Sequence, residues 1–86
     1  MADLIVQHTW KQENADAAFA TVKRIIGMAQ SGKLPAGYAL KSVSVVSGDH
    51  RAFCTWQAPS KHDLEQLVAQ VNPPTEHVVY EVQRAF

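Results

Sequence analysis

Cysteine is almost absent: Cys54 stands alone in 86 residues. No intramolecular disulfide can staple the chain, and the framework of a small secreted domain is excluded. Long apolar runs are missing too; nowhere do ~18 apolar residues occur together, so no membrane-spanning helix is expected. The segment Met1-Ala2-Asp3-Leu4 lacks a basic stretch leading into an apolar one, and the expected location is cytoplasmic. An excess of either charge is absent, since 8 basic and 8 acidic side chains cancel. That balance, without clustering of Lys and Arg, argues against a nucleic-acid surface. Strong catalytic or cofactor motifs are also lacking: there is no Walker loop, no Gly-rich dinucleotide fingerprint, no Cys-x-x-Cys and no His-Glu-x-x-His.

What remains is the composition of one globular domain, 47% hydrophobic and 19% charged, spanning residues 1–86. Leu4 to Trp10 is rich in strand formers, and the polar Lys11-Gln12-Glu13-Asn14 ends it. Asn14 is placed to cap a helix in which Ala15, Ala18, Phe19, Val22, Ile25, Ile26 and Ala29 recur at spacings of three and four. Gly27 weakens that helix by roughly 1 kcal/mol against alanine, which points to close packing on the sheet. Ser31-Gly32 closes it, with Lys33 where a cation suits the helix dipole.

Val43, Val45 and Val46 mark a second strand within Tyr38 to Val46, and the turn Ser47-Gly48-Asp49-His50 leads into a third, Arg51 to Gln57. Ser60 with Asp63 resembles a capping box for a second helix, whose stripe is Leu64, Leu67, Val68 and Val71. Asn72-Pro73-Pro74 stops it, because proline lacks the N–H and clashes with the preceding turn. His77 to Arg84 completes the pattern as a strand with Val78, Tyr80 and Val82 on one side and Val79, Glu81 and Gln83 on the other.

The predicted class is therefore α+β: a ferredoxin-like βαββαβ chain, with a four-stranded antiparallel sheet of order 4-1-3-2 and two helices on one face. In the first strand Leu4, Val6, His8 and Trp10 share a side, with Ile5, Gln7 and Thr9 opposite. In the third the two sets are Ala52, Cys54, Trp56 and Phe53, Thr55, Gln57. Neither set is wholly polar, so the face left bare by the helices is expected to be covered by a twofold-related copy.

Among the four histidines, His8 lies inside a strand beside Trp10, where an imidazole can ligate a metal or move a proton; the alternative is a histidine satisfied by a hydrogen bond near a strand end. His50 and His62 fall in a turn and a first helical turn, both solvated positions, and His77 starts the last strand. Glu81, in the strand beside the first, is the candidate carboxylate partner of His8 for a divalent metal, unless it pairs on the surface with Arg51 or Arg84. Trp10, Trp56 and Tyr80 are candidates to wall a pocket for a flat organic ligand together with His8, the alternative being ordinary core aromatics. Cys54 reads as a buried, inert thiol.

The segment Ala52-Phe53-Cys54-Thr55-Trp56-Gln57-Ala58-Pro59-Ser60, then Asn72-Pro73-Pro74-Thr75-Glu76 and Val79-Tyr80-Glu81-Val82, resembles the carboxy-terminal half of small bacterial proteins of the dimeric α/β-barrel superfamily. The branch it resembles includes a nickel-binding ferredoxin-like protein. The resemblance implies a homodimer with two facing sheets and sites between sheet, loops and dimer mate. It also implies a choice of functions, since the superfamily hosts cofactor-independent monooxygenases, stress-response proteins and haem-handling enzymes. In the resemblance, relatives often carry Glu where this chain has Gln57, and the nickel-binding one has a His near the turn that holds Pro73 here. Three functions follow as expectations: a dimeric binder of a small ligand or a divalent metal such as nickel; a small monooxygenase or isomerase acting on an aromatic substrate with His8 moving the proton; or a structural module without a site.

Overall fold

The computed structural model describes residues 1–46, 48–71, 73–83 and 85, so Ser47, Asn72, Arg84 and Phe86 lie outside the described residues. Strand β1 (Ala2–Thr9) is followed by a 3-10 turn (Gln12–Asn14) and helix α1 (Ala15–Gln30). Strands β2 (Ala39–Val46) and β3 (Arg51–Ala58) form a hairpin, and helix α2 (Lys61–Val71) and strand β4 (Glu76–Val82) complete the chain. The sheet runs β2-β3-β1-β4 with every neighbouring pair antiparallel. This is the expected order 4-1-3-2 read from the other edge, with the expected α+β composition.

Both ends of α1 and the start of α2 have local causes. The 3-10 turn runs directly into α1, and the Gln12 carbonyl accepts the Ala15 N–H, so the Asn14 side chain makes no capping bond at its position. The expected cap is thus corrected: the 3-10 turn leads the backbone into the helix with Asn14 at a φ of -103° and a ψ of 4°, outside the extended conformation of a capping residue. At the other end the Lys33 N–H donates to the Met28 carbonyl (2.9 Å), the Gly32 N–H reaches toward that of Ala29 (3.4 Å), and Gly32 takes a φ of 71°. This is a Schellman closure, which a residue with a Cβ disfavours. For α2, Ser60 Oγ accepts the Asp63 N–H (3.1 Å) and donates to Asp63 Oδ2 (2.9 Å). The shorter aspartate closes the box onto the serine hydroxyl instead of its backbone N–H.

Pleating decides the core. Along β3 the residues Ala52, Cys54, Trp56 and Ala58 are all buried, and Leu4 and Val6 of β1 and Val79 of β4 join them. Helix α2 seals this side with Leu64 and Val68, while Ile25 of α1 and Leu67 of α2 pack at its margin. Gly27 does not touch the sheet: it is exposed, and a Cβ added there meets nothing within 4 Å. The close packing expected at Gly27 is therefore corrected, because the residue lies on the solvent side of α1.

A slip of one residue between β2 and β3 occurs at Leu40/Ser42. Simple alternation would send Leu40 and Val43 to opposite sides. The bulge at Lys41 brings both to the helix side, where they are partly buried against the core. On the opposite face, Ile5 lies across from Thr55 and Tyr80, and Gln7 from Phe53 and Val78. Val78 and Tyr80 there are 50% and 48% exposed.

Candidate functional site

Three of the four candidate pocket residues meet between sheet and helices. His8 points inward because it continues the alternation of Leu4 and Val6 on β1, and Trp56 does so on β3 with Cys54 beside it. Trp10 lies just past the end of β1, held there by its backbone N–H donating to the His50 carbonyl (3.1 Å). Its indole meets Phe19 of α1 edge-on, with ring centroids 5.8 Å apart. Together these side chains wall an apolar cavity of about 50 Å³. Helix α1 closes it with Ala18, Thr21, Val22 and Ile25, helix α2 with Leu67, Val68 and Val71, and strand β2 with Val43. Pro73 and Thr75 form its rim.

The rim is shared. A second, polar cleft of about 450 Å³ lies outside the cavity between the segment Thr9–Asn14 and the loop Pro73–Glu76, and Trp10, Pro73 and Thr75 line both spaces. Lys11, Glu13 and Glu76 bring charge to the outer cleft only. Neither the cleft nor the helical wall is legible in the sequence, because each is made by segments far apart in the chain.

Few polar atoms face the inner cavity. The Thr21 hydroxyl donates to the Ala17 carbonyl (3.0 Å) of its own helix. His8 Nδ1 and Thr75 Oγ1 are hydrogen-bonded at 3.2 Å. Burial, reinforced by the neighbouring His77, lowers the His8 pKa from 6.5 to about 4. The ring is thus neutral at physiological pH, with one nitrogen donating and the other accepting. Trp10 Nε1 is buried without a hydrogen-bond partner among the described residues. Burial pushes the Cys54 thiol up to about 11, so it stays protonated and unreactive in this setting.

The other candidates fall elsewhere. Tyr80 sits opposite Ile5, on the face away from the helices, and does not reach the cavity. Both His8 and Glu81 are on the helix side, but Glu81 is paired with Leu4, four residues from His8. At the rise of a strand that places them about 13 Å apart along the sheet. The residue brought next to His8 is His77, its direct cross-strand partner, with ring centroids 6.4 Å apart. Aligning the inward-facing Leu4 and Val6 with Val79 would have found it from the sequence. The proposed surface pairing of Glu81 with Arg51 is not formed, since Arg51 lies 3.8 Å from Asp49; Arg84 lies outside the described residues. Among the described residues no group of three or more His, Cys, Asp or Glu is assembled as a metal would require. Nor is any described helix long and apolar enough to cross a membrane.

No protein-family model matches the chain, and no significant match is found among curated proteins or among solved structures.

Proposed function

We propose that this domain is a small-molecule binding protein that holds its ligand in the cavity between the sheet and the two helices. The observation that carries the proposal is the cavity itself: an apolar space walled by Trp10 and Trp56, open toward a polar cleft, with a neutral His8 at its edge. Apolar lining with a few placed polar groups is the ordinary chemistry of small-ligand recognition. Binding is favoured over proton transfer. A base with a pKa of about 4 is mostly free at neutral pH but draws a proton weakly, whereas acid-base catalysis works best with a pKa near the operating pH. The divalent-metal version, with nickel as one instance, rests on the facing pair His8 and His77 instead of His8 and Glu81. Two imidazoles leave most of a coordination sphere to other donors.

The same proposal includes a homodimer of the dimeric α/β-barrel kind. Ile5, Phe53, Val78 and Tyr80 make the face away from the helices substantially apolar, and a second copy is the simplest cover for it.

A fragment screen read by NMR tests the binding function. Bound fragments are expected to shift the indole N–H resonances of Trp10 and Trp56 together, and Val22→Phe, which fills the cavity from α1, is expected to abolish the shifts. No perturbation of either indole by any fragment at millimolar concentration would end the proposal. For the dimer, sedimentation equilibrium is expected to give twice the chain mass, and Val78→Lys with Tyr80→Lys to return it to one chain mass. A monomeric wild-type protein would remove that part.

A further inference from the structure

We infer that the ligand is a short aliphatic compound with its polar group at one end, the alkyl end lying in the inner cavity and the polar end in the outer cleft. The inference rests on the cavity being a binding site and adds the chemistry that the site selects. The wall of the inner cavity is almost wholly apolar, although His8, Trp10, Thr21 and Thr75 all belong to it. The Thr21 hydroxyl is turned back to the Ala17 carbonyl, the Thr75 hydroxyl is engaged with His8 Nδ1, and Trp10 Nε1 is buried in the surrounding protein. These residues present carbon to the space. A polar group of a guest placed inside would therefore give up its water and find no partner, whereas an apolar cavity takes an apolar guest without that penalty.

The sizes of the two spaces narrow the class further. An apolar cavity that takes benzene measures about 150 Å³, so a space of about 50 Å³ excludes a ring of that size. At roughly 15–30 Å³ for each water-sized group, it holds an alkyl end of about two to three carbons. The next atoms of such a guest reach the rim, where Trp10, Pro73 and Thr75 line both spaces. Beyond that rim the cleft of about 450 Å³ is polar, and Lys11, Glu13, Asn14 and Glu76 supply donors and acceptors that the inner space lacks. The change from apolar to polar wall at the rim sets both where the polar group sits and how long the alkyl end can be.

Butanol and the butanediol with a hydroxyl at each end form the test pair, since they share a chain and differ at the end that would be buried. Titration of the full chain, read on the methyl resonances of Val22 and Val43, is expected to show butanol binding about tenfold more tightly, the effect of one buried hydroxyl left without a partner. Nuclear Overhauser contacts to those two valines are expected from the butanol methyl and not from the carbon bearing the hydroxyl. Along the straight-chain alcohols from ethanol to hexanol, affinity is expected to rise about fourfold per methylene and to level off near butanol, once added carbons lie in the polar cleft. Val22→Ala lengthens the space from α1 and is expected to move the levelling point to a longer alcohol. Should that variant fail to fold, the comparison of butanol with the diol in the wild-type protein decides alone. Equal binding of the two, or contacts to the valines from the hydroxyl-bearing carbon, overturns the aliphatic inference and leaves the cavity as a site. Binding of no alcohol, while fragments of another class shift the indole resonances, also overturns this inference alone; no response to any fragment overturns the cavity reading with it.

Discussion

Lowering the pH should weaken the wild-type fold by an amount that a His8→Gln variant does not lose. In the fold the His8 pKa is lowered to about 4 by burial and by His77, whereas an imidazole in the unfolded chain titrates near 6.5. Above pH 6.5 the ring is neutral in both states and adds nothing to the pH dependence. Between 6.5 and about 4 the unfolded chain takes up a proton that the folded one refuses, so stability falls as pH falls. Below about 4 both states are protonated and the slope vanishes. The full gap corresponds to about 3 kcal/mol. His8 is only partly buried, and solvent screening brings the expectation down to about 2 kcal/mol. With a urea m-value of about 1 kcal/mol/M for a chain this small, the unfolding midpoint should drop by about 2 M more in wild type than in the variant. The assay is urea unfolding followed by tryptophan fluorescence at steps from about pH 7.5 to about pH 4, at one fixed protein concentration. Glutamine keeps a partner for the Thr75 hydroxyl and does not titrate. Subtracting its curve therefore removes the carboxylates and the other histidines. Parallel pH dependences in the two proteins would refute the reasoning, because they would mean that His8 titrates in the fold as it does in the unfolded chain.

Further outcomes follow from single positions. Gly27→Ala should stabilise by about 1 kcal/mol, raising Tm by about 4–8 °C, because the position is exposed, helical and free of neighbours; Gly32→Ala, at a φ of 71°, should instead destabilise by about 1 kcal/mol in the same calorimetric scan. Leu64→Ala removes a fully buried side chain from α2 and should cost about 3 kcal/mol in urea unfolding, while the exposed neighbour change Glu65→Ala should stay within about 0.5 kcal/mol. The Cys54 thiol should resist a disulfide reagent at mildly alkaline pH until denaturant is added; rapid labelling of the folded protein would contradict its burial and its raised pKa.

Much of this molecule is written locally. The three-and-four spacing of α1 and the prolines at 73 and 74 required no tertiary information, because each acts within a few residues of itself. Pleating likewise made it certain that Leu4, Val6 and His8 would share a side, as would Cys54 and Trp56. What alternation cannot supply is register. His8 meets His77 and not Glu81 because β1 and β4 align Val6 with Val79, a choice made by core packing between strands some seventy positions apart. The same packing put the helices over the side with His8, Trp10 and Trp56, and left Tyr80 on the other, dividing a group of aromatics that the chain order alone would leave together. The bulge at Lys41 is a third instance, since it reverses the facing of half of β2 without any glycine or proline to announce it. Sequence by itself determined the elements and which neighbours within a strand share a face. Only the tertiary structure decided which faces meet, because that depends on the summed burial of distant side chains, and the cavity exists only where those faces meet.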